Sequence, residues 1–185
     1  FGLNITNYAV IDFEGFSNLI DSVGGVSVNV SKAEMKEINK GLDATWKRLG
    51  DGGPVDYLET SGEDTLLTGP QALAYSRIRK IDSDYVRASR QRAVLEAMID
   101  KLRSTKNPVV FAKLAQTAFS TVQTNINVFA IGVDAMKVLS GNHTMEQFRL
   151  PADGAYTTGT VDGAWVIQPD LTKNRKLLQA FLGGD

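Results

Sequence analysis

The stretch YSRIRKIDSDYVRASRQRAVL holds five of the chain's nine arginines, from Arg77 to Arg92. The chain as a whole is close to neutral, with a formal net charge of -1. A local excess of guanidinium groups therefore needs a local reason. A guanidinium stays charged and presents a planar fork of donors that suits carboxylates and phosphates. Tyr75, Arg77 and Arg79 alternate, so in an extended segment they share one face. Arg87, Arg90 and Gln91 stand at i, i+3 and i+4, which is one face of a helix. An extended pair feeding a helical trio can converge on a single anion. The competing reading is a solvated, salt-bridged helix face. Against it, the arginines outnumber the local acids, lysine enters the run only at Lys80, and the arginines straddle an element boundary.

Other chemistry is thinner. Asp82 and Asp84 follow the R-x-R pair at i, i+2 and are candidates to hold a hard cation such as Mg²⁺ beside a phosphate. The plainer reading is that they neutralise neighbouring arginines. The sole histidine, His143 in SGNHTME, has no G-x-S-x-G near it and reads as a loop or helix-start residue. Neither G-x-x-x-x-G-K-[ST] nor G-x-G-x-x-G occurs. Three N-x-[ST] triplets begin at Asn4, Asn29 and Asn142, and two lie at or inside expected strands. Without cysteine, the chain can use neither disulfides nor thiolate chemistry.

Composition bounds the rest. At 185 residues, 43% hydrophobic and 22% charged, the chain is sized for one domain with a true core. A pI near 5.9 argues against a general nucleic-acid binder. No apolar run approaches the length that spans a membrane.

The elements that must position the arginines follow from periodicity. Residues 6–13 read as a strand, and 14–23 as a helix with Phe16, Leu19, Ile20 and Val23 on one face, ended by Gly24-Gly25. Residues 26–30 alternate as a second strand, and Ser31 with Glu34 forms a capping box for a helix through Asn39. The glycine-rich stretch 41–64, with Trp46, Pro54 and Tyr57, reads as an irregular surface excursion. Pro70 favours a helix over 69–76, then 77–84 is extended or looping. A helix over 85–104 carries Val94, Leu95, Met98 and Leu102 as its apolar stripe. After Asn107-Pro108 a helix runs to about Val122, and another covers 127–139. Phe111, Leu114, Phe119, Phe129 and Met136 are apolar at helical spacing and read as ordinary core. Strands are expected at 147–150 and 165–167, then a helix from Asp170 or Thr172 to Leu182. The class is α/β, a mixed sheet between helical layers.

These residues resemble a known signature. LTGPQALAYSRIRK, followed by D-x-D-x-x-R-x-x-RQ-x-x-VL, is similar to that of the LytR–CpsA–Psr family. DFEGFSNLIDSVGGVSVNV and WVIQPDLTKNRKLLQAFLGG resemble the same family's strand–helix–strand unit and closing helix, in family order. The resemblance covers nearly the whole chain outside 41–64. It implies an α-β-α sandwich with a long apolar pocket, in an extracytoplasmic, membrane-anchored bacterial protein of cell-wall biogenesis. It further implies a phosphotransferase that moves a teichoic acid or capsular polysaccharide from a polyprenyl-pyrophosphate carrier to a muramic-acid hydroxyl of peptidoglycan. By motif, Arg77 and Arg79 match the R-x-R pair, Arg87 the arginine before the RQ step, and Gln91 its glutamine, with Arg90 adjoining. All five are expected to bind pyrophosphate. The family also implies Mg²⁺, held by aspartates in an N-terminal stretch that carries a further arginine. Neither that aspartate-rich strand nor its S-x-P-R-D segment occurs here, so catalytic residues are not assigned. The chain is expected to match the C-terminal two-thirds of one such domain, 1–185. A non-catalytic module that binds anionic polyprenyl lipid or wall polymer is the alternative. DNA-binding regulation is disfavoured by the near-neutral charge.

Overall fold

The computed structural model describes residues 1–49, 54–81, 84–105, 107–140 and 146–183. In chain order its elements are β1 (Ala9–Ile11), α1 (Phe13–Ser22), β2 (Val26–Val30), α2 (Lys32–Leu49), β3 (Gly62–Leu67), α3 (Gly69–Ser76) and α4 (Asp84–Ser104). They continue with α5 (Pro108–Thr121), β4 (Val122–Thr124), α6 (Val128–Ser140), β5 (Tyr156–Val161), β6 (Ala164–Pro169) and α7 (Leu171–Phe181). The α/β class holds. The strands pair in three antiparallel couples: β1 with β4, β2 with β3, and β5 with β6. Two compact units result, one of Phe1–Thr6 with His143–Asp185, the other of Asn7–Asn142.

The larger unit carries the arginine run. Asp12 caps α1 by accepting the Gly15 N–H at 2.7 Å. At the other end the Gly25 N–H reaches back to the Ile20 carbonyl and the Gly24 N–H to that of Asp21, which closes the helix in a Schellman turn. β2 then alternates as expected, with Val26, Val28 and Val30 buried and the residues between them exposed. It pairs with β3 in the register Val26 to Leu67 and Val28 to Thr65. The Ser31–Glu34 capping box forms: Glu34 accepts the Ser31 N–H at 2.8 Å, and Ser31 Oγ accepts the Glu34 N–H at 3.2 Å. The core packs Ile20, Val26, Ile38, Leu67, Ala72 and Val94 from α1, β2, α2, β3, α3 and α4.

The excursion expected over 41–64 is much shorter. Helix α2 runs on to Leu49, because Leu42 is buried and Gly41 lets α2 approach Ala74 of α3 closely. Residues 62–67 form β3, because Thr65 and Leu67 are buried against β2. Residues 54–61 keep no regular structure, and side chains hold them instead. Asn39 donates to the Leu58 carbonyl at 3.0 Å and accepts the Leu58 N–H at 2.9 Å. Trp46's side chain lies outside what the structure describes.

Three other expectations shift. The 6–13 strand shrinks to β1, held by three pairs to β4, a strand the sequence reading omitted. On α4, Val94 and Leu102 are buried as expected, but Leu95 is half exposed. On α5 no residue is fully buried and Phe119 is 65% exposed, so it is not core. The side chains of Phe129 and Met136 lie outside the description, as does His143.

In the smaller unit the strand expected at 147–150 is absent; Phe148 instead stacks on Phe181 of α7, with ring centres 5.1 Å apart. The strands lie further on. β5 and β6 form a hairpin around Asp162 and Gly163, both at positive φ, the backbone of a tight primed turn. Asp170 caps α7 by accepting the Lys173 N–H at 2.9 Å. Fully buried Asn174 ties the unit together, accepting from the Ala152 N–H and donating to the carbonyls of Ala155 and Asp170.

Candidate anion site at the arginine turn

The site begins with the mounting of α3. Its first residue must be glycine: a Cβ on Gly69 would lie 2.1 Å from the Ser17 carbonyl oxygen of α1. The Gly69 N–H also donates to Asp21 Oδ1 at 2.7 Å, which locks the end of α1 to the start of α3. Gln71 accepts the Thr68 N–H at 3.0 Å and donates to the Asp56 carbonyl at 3.0 Å. Every residue of α3 is buried apart from Pro70, which is half-buried.

The chain leaves α3 at Arg77. The Arg77 N–H returns to the Ala74 carbonyl and the Ile78 N–H to that of Tyr75. Ile78 is 4% exposed, whereas Arg77 and Arg79 on either side of it are exposed. A buried aliphatic residue thus sets the direction of two outward arginines. Tyr75 does not share their face, as the alternation suggested. It lies in α3, is 5% exposed, and donates its hydroxyl to the Asn29 carbonyl at 3.3 Å. Helical geometry overrides a period-2 reading at a helix end.

A cleft of about 370 Å³ opens beside this turn. Among the described residues, Arg77, Arg79, Lys80 and Lys40 supply its positive charge, Glu37 a carboxylate, and Phe13, Ala74 and Ile78 part of its apolar wall. Glu37 is engaged by Lys40 at 2.5 Å. The Arg77 guanidinium lies 4.3 Å from the centre of the Phe13 ring, a cation–π contact that holds the arginine across the cleft mouth. The sequence reading missed Phe13, Lys40 and Glu37. Phe13 begins α1, 64 residues from Arg77 in a chain of 185, and no local pattern links them.

Helix α4 brings the second group. Arg87 is half-buried, Arg90 is 3% exposed and Gln91 is exposed. Gln91 donates to the Ser76 carbonyl at 3.4 Å, and Arg90 Nη1 to the Ile78 carbonyl at 3.4 Å. Two members of the face read from the i, i+3, i+4 spacing, Arg90 and Gln91, therefore meet the arginine turn. Arg90 is placed differently from the other four expected pyrophosphate residues. Its Nε donates to Glu34 Oε1 at 2.7 Å, and its guanidinium sits 5.9 Å from the centre of the Tyr75 ring. Burial pushes the Glu34 carboxyl up, but hydrogen bonds from Arg90 and Ser31 and the Arg90 charge outweigh it and hold the group below its usual range. Burial first, then the Glu34 charge, raises the Tyr75 hydroxyl against the opposing pull of Arg90.

The metal candidates fare as follows. Asp82 lies outside the described residues, and of Asp84 only the backbone at the start of α4 is described. Among the described residues no three His, Asp or Glu side chains form a metal donor set. Nor is any described helix long and apolar enough to cross a membrane.

The chain as a whole is similar to known proteins. The model of the LytR_cpsA_psr family matches residues 1–181. The polyisoprenyl-teichoic acid–peptidoglycan teichoic acid transferase TagV of Bacillus subtilis (strain 168) is 31% identical over 183 residues, 96% of this chain and 44% of TagV. The chain thus spans a little under half the length of that relative. The crystal structure of B. subtilis TagV superposes with a TM-score of 0.66 at 28% identity, over 99% of this chain and 66% of that one. The structure of TagT bound to LIIa-WTA superposes with a TM-score of 0.69 at 25% identity, over 98% of this chain and 63% of that one.

Proposed function

Since the chain belongs to the LytR_cpsA_psr family, we propose that it works as a glycopolymer phosphotransferase domain of the bacterial cell wall. Its substrate would be a teichoic acid or capsular-type polymer on a polyprenyl-pyrophosphate carrier, and its acceptor a hydroxyl of peptidoglycan. The acceptor oxygen attacks the phosphorus nearer the polymer and forms a phosphodiester. The bond from that phosphorus to the bridging oxygen breaks, polyprenyl phosphate departs with the electron pair, and the hydroxyl proton goes to water. Phosphoryl transfer needs little covalent help from the protein; it needs positioning and fixed positive charge where negative charge develops. Arg77 and Arg79 are assigned to the pyrophosphate oxygens, with Arg87 and Gln91 approaching from α4. The work would take place at the extracytoplasmic face of the membrane.

One observation carries the reading. Two outward arginines flank a buried Ile78 at the mouth of a cationic cleft, with α4 seated on the carbonyls of the same turn. The name of the TagV relative, a teichoic acid transferase, supports the substrate class. Calorimetric titration of farnesyl pyrophosphate into the wild type, Arg87→Ala and Arg77→Ala/Arg79→Ala tests it. A lost charge-assisted contact predicts roughly tenfold weaker binding for Arg87→Ala and a larger loss for the double variant. Wild-type affinity in Arg87→Ala would remove that residue from the site. A binding-only module would show the same affinities yet move no labelled polymer onto peptidoglycan.

A further inference from the structure

We propose that the buried Glu34–Arg90 ion pair is a positioning element that fixes the peptide between Arg77 and Arg79, and that Arg90 acts through that peptide without touching the anion. The inference rests on the assignment of the arginine turn as a pyrophosphate site.

Both carboxylate oxygens of Glu34 are engaged. Oε2 accepts the Ser31 N–H at 2.8 Å and the Ser31 hydroxyl at 2.7 Å, which anchors it to the first turn of α2. Oε1 accepts Arg90 Nε at 2.7 Å. A carboxylate held at both oxygens cannot rotate away from its partner. Arg90 spreads its donors in a rigid plane, so fixing Nε also fixes Nη1, which points at the Ile78 carbonyl at 3.4 Å. That carbonyl belongs to the residue between the two outward arginines. Ile78 is therefore held by its buried side chain, by its N–H on Tyr75 and by its carbonyl on Arg90.

Arg90 is 3% exposed, and the described groups around its guanidinium include Glu34, the Ile78 carbonyl and the Tyr75 ring. An anion reaching Arg90 would have to displace them and strand the Glu34 charge inside, which is costly. Arg77 and Arg79, by contrast, are exposed. A turn held in advance spares the anion the ordering cost of two long side chains on a loose loop, so binding tightens without a new contact.

A double-mutant cycle with inorganic pyrophosphate as the probe tests this, read by calorimetry with folding followed by circular dichroism. Glu34→Gln keeps the size and the acceptor but removes the charge. Arg90→Lys keeps a charge but loses the fork, and it serves if Glu34→Gln does not fold. Either substitution is expected to weaken binding roughly fivefold in the wild-type background and less than twofold in the Arg79→Ala background, since coupled residues are non-additive. Wild-type affinity in both folded variants, or an equal loss in both backgrounds, overturns the proposal. If Arg79→Ala alone binds as tightly as wild type, it is the assignment of the turn itself that fails.

Discussion

Within the larger unit, the part built from β2, β3, α2, α3 and α4 is held quite differently from the flank of β1, β4 and α5. In the first, Val26, Ile38, Leu67, Ala72 and Val94 are completely buried, and one cluster includes them all. In the second, two strands of three residues pair over three positions, and no α5 residue is fully buried. Val10, Val109 and Phe119 all stand more than half exposed there. Helix α1 belongs to both: Ile20 at its C-terminal end is 1% exposed, while Phe13 at its start is 55% exposed beneath Arg77. The arginine turn is mounted on the dense part. Fixed charge needs a base that does not yield, and close-packed interiors supply one.

The contrast can be broken most severely in the core. Leu67→Ala empties a completely buried site in β3 opposite Val26 and is expected to cost about 2–5 kcal/mol in a urea unfolding titration. A cost below about 1 kcal/mol would mean that the core is no tighter than the flank.

A smaller, pH-dependent loss is expected at Glu34. Its folded-state pKa is lowered, so between that value and the unfolded value of 4.5 the unfolded chain binds more protons. The charge of Glu34 therefore stabilises the fold fully above about pH 4.5, and the contribution fades as pH falls through the folded value. Melting curves across the acid range should show the gap between wild type and Glu34→Gln closing on acidification. A gap independent of pH would show that the pair contributes nothing through charge.

The smallest effect is expected on the flank. Phe119→Ala removes a ring that is 65% exposed and should change stability by less than about 0.5 kcal/mol. A loss comparable to that of Leu67→Ala would place Phe119 against something that keeps it from water.

Where the sequence was legible, the signal was local. The caps at Ser31 and Asp170, the helix after Asn107-Pro108, the Pro70 helix start and the alternation of β2 all depend on neighbours within a few residues, and all appear in the structure. What the sequence hid depends on distant packing. Gly41 reads as a helix breaker until Ala74 lies across from it. Residues 62–67 gain their strand from β2, and β4 exists only through β1. The arginines could be counted and their two groups separated from spacing alone. The burial of Arg90 could not, because Glu34 is its partner across 56 positions of chain. Tyr75 and Phe13 traded places for the same reason: one is inside α3, the other is brought under Arg77 by the fold.

The reciprocal bonds between Asn39 and Leu58 have a consequence for how the chain tolerates change in length. In a sheet, a slip of one residue turns every side chain to the opposite face. Here one amide side chain plays the part of a neighbouring strand for a single residue. Leu58 keeps its place against α2, where it is 7% exposed, and Asp56 before it is held by Gln71. A residue inserted between Leu58 and Gly62 shifts no ladder register, and loop-closure entropy rises only slowly with length. Such an insertion leaves β3, and with it the base beneath the arginine turn, where it stands.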